Sequence, residues 1–213
     1  MFKRLFLAIF TCFFLAPALS YSNPEVGPLL KRLEEKISGV KTLETEFIQE
    51  KKLAVFNNAV VLEGKVFIQE PDLFSWHTDK PVRYVMVIKG DIIKQWDEDT
   101  KQVQSLSLSR NPTFLVAVNQ MKVWFSGNYT SLLKDYEARV VTSQPIVLEF
   151  TPKPSAAAFN IIKKVRMAFQ EDERYISRID IEEKNQDSTS LVFINTKINA
   201  PINSSAWELP RHQ

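Results

Sequence analysis

The chain has little of the residue types that carry covalent, metal or nucleotide chemistry: one cysteine, two histidines and five glycines among 213 residues. Cys12 lies in an apolar N-terminal run, and His77 and His212 are far apart in the sequence. We therefore predict no disulfide, no thiol chemistry and no metal site. No glycine-rich loop precedes a helix, so no phosphate-binding loop and no cofactor are expected.

The chain also lacks an excess of charge of either sign. Its formal net charge is +2 at pH 7, and Lys3 and Arg4 lie in an N-terminal segment that contains no acidic residue. The rest of the chain is therefore close to neutral. This balance argues against a nucleic-acid partner and against a basic membrane-binding face.

The sequence shows no catalytic constellation. Three serines alternate along one predicted strand without the strand–turn–helix context of a nucleophile, and three acids fall in a predicted turn, where solvation explains them. His77 is more typical of a hydrogen-bonded strand residue than of a catalyst. We predict that the protein is not an enzyme. The serines are Ser105, Ser107 and Ser109, and the acids are Asp97, Glu98 and Asp99.

The first twenty residues have the three parts of a secretory signal peptide. Lys3 and Arg4 precede the apolar run 5–15, and small residues, Ala18 and Ser20, end the segment. We predict cleavage after Ser20, with residues 1–20 as the signal peptide and residues 21–213 as a single domain. A retained N-terminal anchor is the alternative, although the apolar run is short for a membrane span.

A hydrophobic period of two runs through most of the remaining chain and predicts β-strands. It is clearest in residues 63–81, where two extended segments meet at a turn over residues 70–72, since Pro71 cannot donate to a ladder. Gly90-Asp91 predicts a tight hairpin. About ten strands are expected, over residues 43–53, 60–69, 73–81, 82–89, 92–97, 102–108, 146–150, 161–169, 175–183 and 190–198, with a last strand or tail around Trp207 and Leu209.

Two stretches have a helical period instead. The first begins at Asn23-Pro24, which resembles an N-cap followed by a first-turn proline, and it ends at Gly39. The second begins at Asn111 as the cap and Pro112 as the first helical residue, runs to about Phe125, and is followed by a short helix over residues 130–136. The first helix is amphipathic, so it must cover an apolar surface that lies later in the chain.

Many strands and few helices predict a fold that is mainly β with some α. A single half-barrel with helices across its mouth meets both requirements, and a sandwich with peripheral helices is the alternative. Such a half-barrel can enclose a cavity for an apolar ligand. The residues that we predict to line it are Phe47, Phe74, Trp76, Tyr84, Met86, Ile88, Met167 and Phe169, and those predicted to form the helical lid are Leu29, Leu33, Ile37, Phe114, Leu115 and Val118.

The order of several short landmarks resembles the LolA family, the periplasmic carriers of outer-membrane lipoproteins. Each landmark is weak, but together they cover essentially all of the chain after the predicted signal peptide. They are the amphipathic first helix, Phe47-Ile48-Gln49, Glu63-Gly64, Pro71-Asp72-Leu73-Phe74-Ser75-Trp76 with Pro81, Gly90-Asp91, Trp96-Asp97, Asn111-Pro112, Leu148-Glu149-Phe150-Thr151-Pro152 and the region from Asn195 to Leu209.

The resemblance implies an incomplete, strongly curved antiparallel β-barrel with a helical lid over an apolar cavity. It implies a monomeric periplasmic carrier in a Gram-negative envelope, which takes acylated lipoproteins from an inner-membrane ABC transporter and delivers them to an outer-membrane receptor. Phe74, which matches an aromatic residue of the family, is the leading ligand contact. Before the proline of the first turn, family members commonly have an arginine; this chain has Glu70, which cannot donate the same hydrogen bonds.

Two other functions remain open at this point. One is a carrier of the same fold for a non-protein lipid or a glycolipid. The other is a lipid-sensing envelope module that transports nothing. Identification of an extracted ligand would separate the first from a lipoprotein carrier, and stable partner binding without any lipid would favour the second.

Overall fold

The computed structural model describes residues 26–56 and 58–210. The predicted signal peptide and the predicted helix start at Asn23-Pro24 lie outside the described residues. The described helices and strands are α1 Val26–Ile37, β1 Thr42–Lys52, β2 Val60–Gln69, β3 Leu73–Lys80, β4 Tyr84–Lys89, β5 Ile92–Asp97, β6 Val103–Ser107, α2 Pro112–Ser126, β7 Tyr136–Ser143, β8 Ile146–Pro152, β9 Ile162–Phe169, β10 Ile176–Glu183 and β11 Ser188–Ile198, with short 3-10 helices at Tyr129–Lys134 and Ser204–Trp207.

All eleven strands belong to one antiparallel sheet in the order β6-β5-β4-β3-β2-β1-β11-β10-β9-β8-β7. Two meanders, β1 to β6 and β7 to β11, join where β1 pairs with β11. Strands β6 and β7 form the two edges, so the sheet is open rather than closed into a barrel. The predicted mainly β, incomplete barrel is confirmed, and the sandwich alternative is wrong because there is a single sheet.

Most predicted strands are present with small shifts in their bounds, and the differences are local. Strand β7 was not predicted, because Tyr136 at its start was assigned to the short helix, which is a 3-10 helix that ends at Lys134. Of the predicted last strand or tail, the strand is wrong: the segment is a tail that contains the short 3-10 helix at Ser204–Trp207. Asn111 does not cap α2 through its side chain; its Nδ2 donates to the carbonyl of Ser107 at 2.8 Å.

The main core lies on the face of the sheet that carries the helices, which we call the inner face. Helix α1 buries Leu30 and Leu33 completely. These residues join one apolar cluster with inner-face side chains from both meanders, for example Phe47 of β1 and Phe150 of β8. The helix and the sheet therefore fold around a common core, as the amphipathic pattern of α1 required.

The opposite, outer face carries a smaller apolar cluster beneath the C-terminal segment. Val85, Val87 and Trp96 are buried there, and Leu209 packs against them. On the neighbouring strands, the ring of Phe67 lies 5.2 Å from His77 and 6.4 Å from Trp207. Contacts with the sheet therefore hold the end of the described chain in place.

A buried carboxylate connects three strands on the outer face. Glu149 of β8 accepts hydrogen bonds from Arg139 Nε of β7 at 2.8 Å and from Arg166 Nε of β9 at 2.7 Å. Burial raises the pKa of Glu149, but the hydrogen bonds and charges of the two arginines outweigh it and leave the pKa below its usual value. Glu149 is therefore ionised at neutral pH and links the edge strand to the rest of the sheet.

His77 holds the C-terminal segment to β3. Its Nε2 lies 2.8 Å from Ser75 Oγ and 3.1 Å from the carbonyl of Ala206. Since the carbonyl can only accept, and Ser75 Oγ donates to the carbonyl of Met86, Nε2 carries the proton. Burial lowers the pKa of His77 below 6.5, against smaller raising contributions from the Ala206 hydrogen bond and the charge of Asp79.

We expect this histidine to make the folded state less stable on mild acidification. Below pH 6.5 the unfolded chain binds a proton that folded His77 resists, so stability falls as the pH decreases from 6.5 towards the folded pKa. Urea unfolding of the wild type and His77→Gln between pH 7.5 and 5 should show a flatter dependence in the variant. Parallel curves would exclude a role for His77.

Candidate functional site

An apolar cavity of about 330 Å³ lies on the inner face between the sheet and α2. Its volume falls at the lower end of the range of ligand pockets in proteins, ~300–1,000 Å³. The strands supply most of the wall and α2 supplies one side. The lining residues are Gln49, Trp76, Tyr84, Met86, Met121, Trp124, Ile179, Ile181, Thr189 and Leu191.

Strands that are distant in the sheet meet at this cavity. Tyr84 is on β4 and Ile179 is on β10, and four strands lie between these two in the sheet order. In a flat sheet, five strand spacings would separate them by about 24 Å. Because both side chains line one cavity, the sheet must curve around α2. The curvature creates the site.

Three of the eight predicted cavity residues line this space, namely Trp76, Tyr84 and Met86. Phe47 lies directly behind one of them, with its ring centroid 4.2 Å from that of Trp76. Phe47 is itself 1% exposed. It therefore supports the cavity wall rather than forming its surface.

The other four predicted residues share the inner face but lie in the packed core. Ile88, Met167 and Phe169 are almost completely buried, and the ring of Phe169 packs edge-on against Tyr129 at 5.3 Å. Phe74 is also buried, with its ring 6.2 Å from that of Phe125 on α2. Alternation along the strands identified the inner face, but these four side chains fill it instead of leaving space.

Seven lining residues were not predicted from the sequence. Gln49 lies two residues after Phe47 on β1. Met121 and Trp124 are three apart on α2, which places them on the same side of the helix. The alternation along β1 could therefore have identified Gln49. The helical spacing of Met121 and Trp124 shows that they share one side of α2, but not that this side faces a cavity. The remaining four are Ile179, Ile181, Thr189 and Leu191.

The cavity has few polar groups, and one of them is already engaged. Tyr84 Oη donates to Gln95 Oε1 at 3.1 Å, and Gln95 Nε2 donates in turn to Gln104 Oε1 at 2.9 Å. Burial, with a smaller contribution from the charge of Asp97, raises the pKa of the Tyr84 hydroxyl, so it is neutral at physiological pH. Within residues 26–56 and 58–210, no group of histidine, cysteine or acidic side chains could hold a metal ion. The cavity is suited to an apolar ligand.

Helix α2 covers one side of the cavity with a side chain whose polar group is not satisfied by any described residue. The indole nitrogen of Trp124 is buried and has no hydrogen-bond partner in the described part of the chain. A buried unpaired donor costs roughly 1–3 kcal/mol, because it has lost its bond to water. Displacement of α2 would restore water or another acceptor to this nitrogen. The packing that closes the cavity is therefore less favourable than the apolar contacts alone would make it.

The C-terminal end of α2 is fixed to α1. Gly127 ends α2 with φ +79°, and a Cβ at this position would overlap the side chain of Ile37. Beyond it, Tyr129 Oη donates to the carbonyl of Trp124, and Glu34 of α1 accepts a hydrogen bond from the amide of Thr130 at 2.6 Å. Contacts on both sides of Gly127 therefore fix this end of α2.

The predicted lid residues are distributed over both helices. Leu33 and Ile37 of α1 and Val118 of α2 are buried in the main core, and Leu29 and Leu115 pack on it half-buried. The side chain of Phe114 lies outside the described residues. None of the predicted lid residues lines the cavity described above, for which α2 uses Met121 and Trp124.

The fold and the site define a protein with a partly open apolar cavity between an open, curved β-sheet and a covering helix. Residues 38–209 match the family described as outer membrane lipoprotein carrier protein LolA. The chain belongs to the LolA family. No helix in the described part of the chain is long and apolar enough to span a membrane.

Individual proteins are similar to this chain at low identity. The outer-membrane lipoprotein carrier protein of Pseudomonas syringae pv. syringae is 26% identical over 210 residues, covering 96% of this chain and 92% of that protein. An uncharacterized conserved protein from Thermus thermophilus has a TM-score of 0.55 at 10% identity, covering 88% of this chain and 95% of its own. Mycobacterium tuberculosis lipoprotein LppX has a TM-score of 0.52 at 15% identity, covering 85% and 99%. These two structures show the shared fold.

Proposed function

We propose that this protein is a periplasmic carrier that shields the acyl chains of lipoproteins in its inner-face cavity and transports them from the inner to the outer membrane. The observation that supports this most is the apolar cavity beneath α2 in a chain of the LolA family. The proposal includes export by residues 1–20, a single domain over residues 21–213, and no catalytic activity.

The cost of exposing acyl chains to water explains why a carrier would be needed. At about 0.8 kcal/mol for each methylene group, one palmitoyl-length chain exposed to water costs roughly 12 kcal/mol. A cavity with an apolar wall removes most of this cost during transit. In this proposal the carrier is a monomer, an inner-membrane ABC transporter supplies the cargo, and an outer-membrane receptor with a higher affinity for it accepts the cargo.

The size of the cavity suggests how the predicted residues contribute. Roughly 330 Å³ is small for a ligand with several acyl chains, so loading would require displacement of α2. Phe125 of α2 covers Phe74, and its ring lies 5.4 Å from Phe193. Displacement of α2 would therefore bring Phe74, the leading contact predicted from the sequence, to the surface of an enlarged cavity.

The residues proposed to contact the acyl chains fall into two groups. Trp76, Tyr84 and Met86 line the space that already exists, and Phe47 supports them. Phe74, Ile88, Met167 and Phe169 would contact ligand only in an enlarged cavity. The lid in this proposal consists of α1 and α2, through Leu29, Leu33, Ile37, Phe114, Leu115 and Val118.

Native mass spectrometry of the protein purified from its own periplasm tests the proposed function. We expect a bound mass that dissociates as an acylated protein or peptide. A free lipid or glycolipid instead would exclude a lipoprotein cargo while leaving a carrier. If the protein is bare, the measurement is repeated with an added acylated lipopeptide, and failure to bind it would overturn the carrier function. The same spectrum gives the mature N-terminus and so tests cleavage after Ser20.

A further inference from the structure

Exposed apolar side chains are concentrated at one end of the sheet. Of the eleven large apolar residues that are exposed in the described part of the chain, six lie at the β1–β2 hairpin, the β3–β4 turn and the start of β9. These segments lie at the same end of the sheet. The end of β1 pairs with the start of β11 through Lys52 and Ser188, and the end of β10 pairs with the start of β9 through Glu183 and Ile162. We call these six residues the apolar rim: Val55, Phe56, Val60, Val61, Val82 and Ile161.

The β1–β2 hairpin presents the two most exposed members. Val55 is 83% exposed and Phe56 is 65% exposed. The hairpin is hydrogen-bonded at this point, since the amide of Phe56 donates to the carbonyl of Leu53 at 2.9 Å, and the amide of Ala54 donates to Asp187 Oδ1 at 2.8 Å. Glycine, asparagine, aspartate and serine are the usual residues of such turns. Two large apolar side chains there indicate a contact surface.

The apolar rim is continuous with the cavity along the inner face. Gln49 lines the cavity and pairs with Leu62, which packs on the main core. Val60, two residues before Leu62 on β2, lies on the same face, because successive inward side chains of a strand are two residues apart. Across β11, Thr189 and Ile181 also line the cavity, close to the turn in which Asp187 holds the hairpin. Through Val60, the apolar rim therefore adjoins the cavity wall on the inner face.

Charge and shape both favour a lipid bilayer as the occupant. Lys52 lies 3.0 Å from Glu50, and Lys51 lies 3.9 Å from Glu183, so the lysines next to the hairpin are paired within the protein. The hairpin therefore offers apolar rather than electrostatic attraction. The six residues of the apolar rim are far fewer than the roughly 20–30 residues that each partner contributes to a specific protein interface. A bilayer needs no matching surface and accepts a projecting aromatic residue.

We propose that the apolar rim docks this protein on a lipid bilayer, with Val55 and Phe56 inserted between the lipids and the cavity bordering the membrane. The inference rests on the proposed carrier function, since docking in this orientation places the cavity beside the membrane in which the proposed donor or receptor lies. Insertion of only a few side chains gives weak, reversible attachment, as a carrier that must leave the membrane requires.

Flotation with vesicles tests the docking. We expect the protein, purified from its periplasm, to bind phosphatidylcholine vesicles, with similar binding when phosphatidylglycerol is added, because the attraction is apolar. The double variant Val55→Ser/Phe56→Ser should reduce the partition coefficient at least about tenfold, since each side chain leaves an apolar environment. The matched control is Ile92→Ser/Val141→Ser, which changes two exposed apolar residues away from the apolar rim and should bind like the wild type.

A second measurement separates the docking from the carrier function. Binding of a fluorescent fatty acid in solution, without vesicles, is measured for the wild type and both double variants. Normal fatty-acid binding with no vesicle binding would overturn the docking alone and would leave a protein partner as the occupant of the apolar rim. If the wild type does not bind the fatty acid, the carrier function is overturned. Equal vesicle binding by both double variants would also overturn the docking.

Discussion

Gly64→Ala is expected to destabilise the folded state by about 3 kcal/mol. Gly64 lies on the inner face of β2, paired with Phe47 of β1 and Thr78 of β3. A Cβ here would overlap the backbone carbonyl oxygen of His77 and lie 2.9 Å from Phe47 Cε1. A backbone atom cannot move aside as a flexible side chain can, so β2 and β3 would have to separate. Overpacking of this kind costs roughly 1–3 kcal/mol, and more when backbone must shift.

Gly27→Ala is the matched control for this prediction. Gly27 lies in the first turn of α1, and no atom lies within 4 Å of the position that its Cβ would take. Alanine is more favourable than glycine in a helix by roughly 0.5–1 kcal/mol, so this variant should be as stable as the wild type or slightly more stable. The wild type and the two variants are compared by urea unfolding. If the dependence of the unfolding free energy on urea concentration has the same slope in all three, the shift in midpoint gives the change in stability. If Gly64→Ala unfolds at the same urea concentration as the wild type, β2 and β3 do not approach each other as closely as described.

This glycine shows what the sequence could and could not predict about the fold. The alternation of Val66 and Ile68 with their neighbours in the sequence predicts β2. The sequence also contains Glu63-Gly64 as a landmark, but nothing in it shows that a carbonyl of β3 occupies the space beside Gly64. That contact depends on the register shift between β2 and β3, which occurs at Glu63 and Gly64 and is a property of the assembled sheet.

For the candidate site, too, the sequence predicts which way the side chains of a strand point but not what they contact. A period of two separates inward from outward side chains, so Trp76, Tyr84 and Met86 were identified together with Ile88 and Phe169, which lie in the packed core. Whether an inward side chain touches a neighbour or an empty space depends on the curvature of the sheet and on the position of α2. Both arise from long-range packing, which no local pattern records.

The position of α2 connects the fold to the proposed function. The helix closes the cavity through Met121 and Trp124, yet the indole nitrogen of Trp124 has no partner among the described residues. Its C-terminal end is fixed through Ile37 and Tyr129, and Val118 is buried in the main core. In the proposed function an entering acyl chain displaces this helix, and the unpaired indole nitrogen of Trp124 lowers the cost of that displacement. This arrangement suits a carrier, which must both load and release.

Ile181→Glu is expected to weaken acyl-chain binding at least about tenfold while the fold is retained. Ile181 of β10 lies in the cavity wall, between Val165 of β9 and Thr189 of β11, and is only half-buried, so a longer polar side chain can be accommodated in the free protein. When a ligand enters, the carboxylate would lose water without gaining a partner, which is strongly unfavourable. Affinity for a fluorescent fatty acid, measured by titration and checked by displacement with an acylated peptide, gives the effect.

The control for this prediction introduces the same charge on the other face of the sheet. Val192 of β11 is also half-buried, but it lies between the inward residues Leu191 and Phe193 in sequence and therefore points outward, opposite Arg178 of β10. Val192→Glu should bind the fatty acid like the wild type, because its carboxylate is beside a guanidinium and away from the cavity. Weakening in Ile181→Glu alone would place the ligand against β10 on the inner face. Equal affinities in both variants would show that the ligand binds elsewhere and that this cavity is not the site.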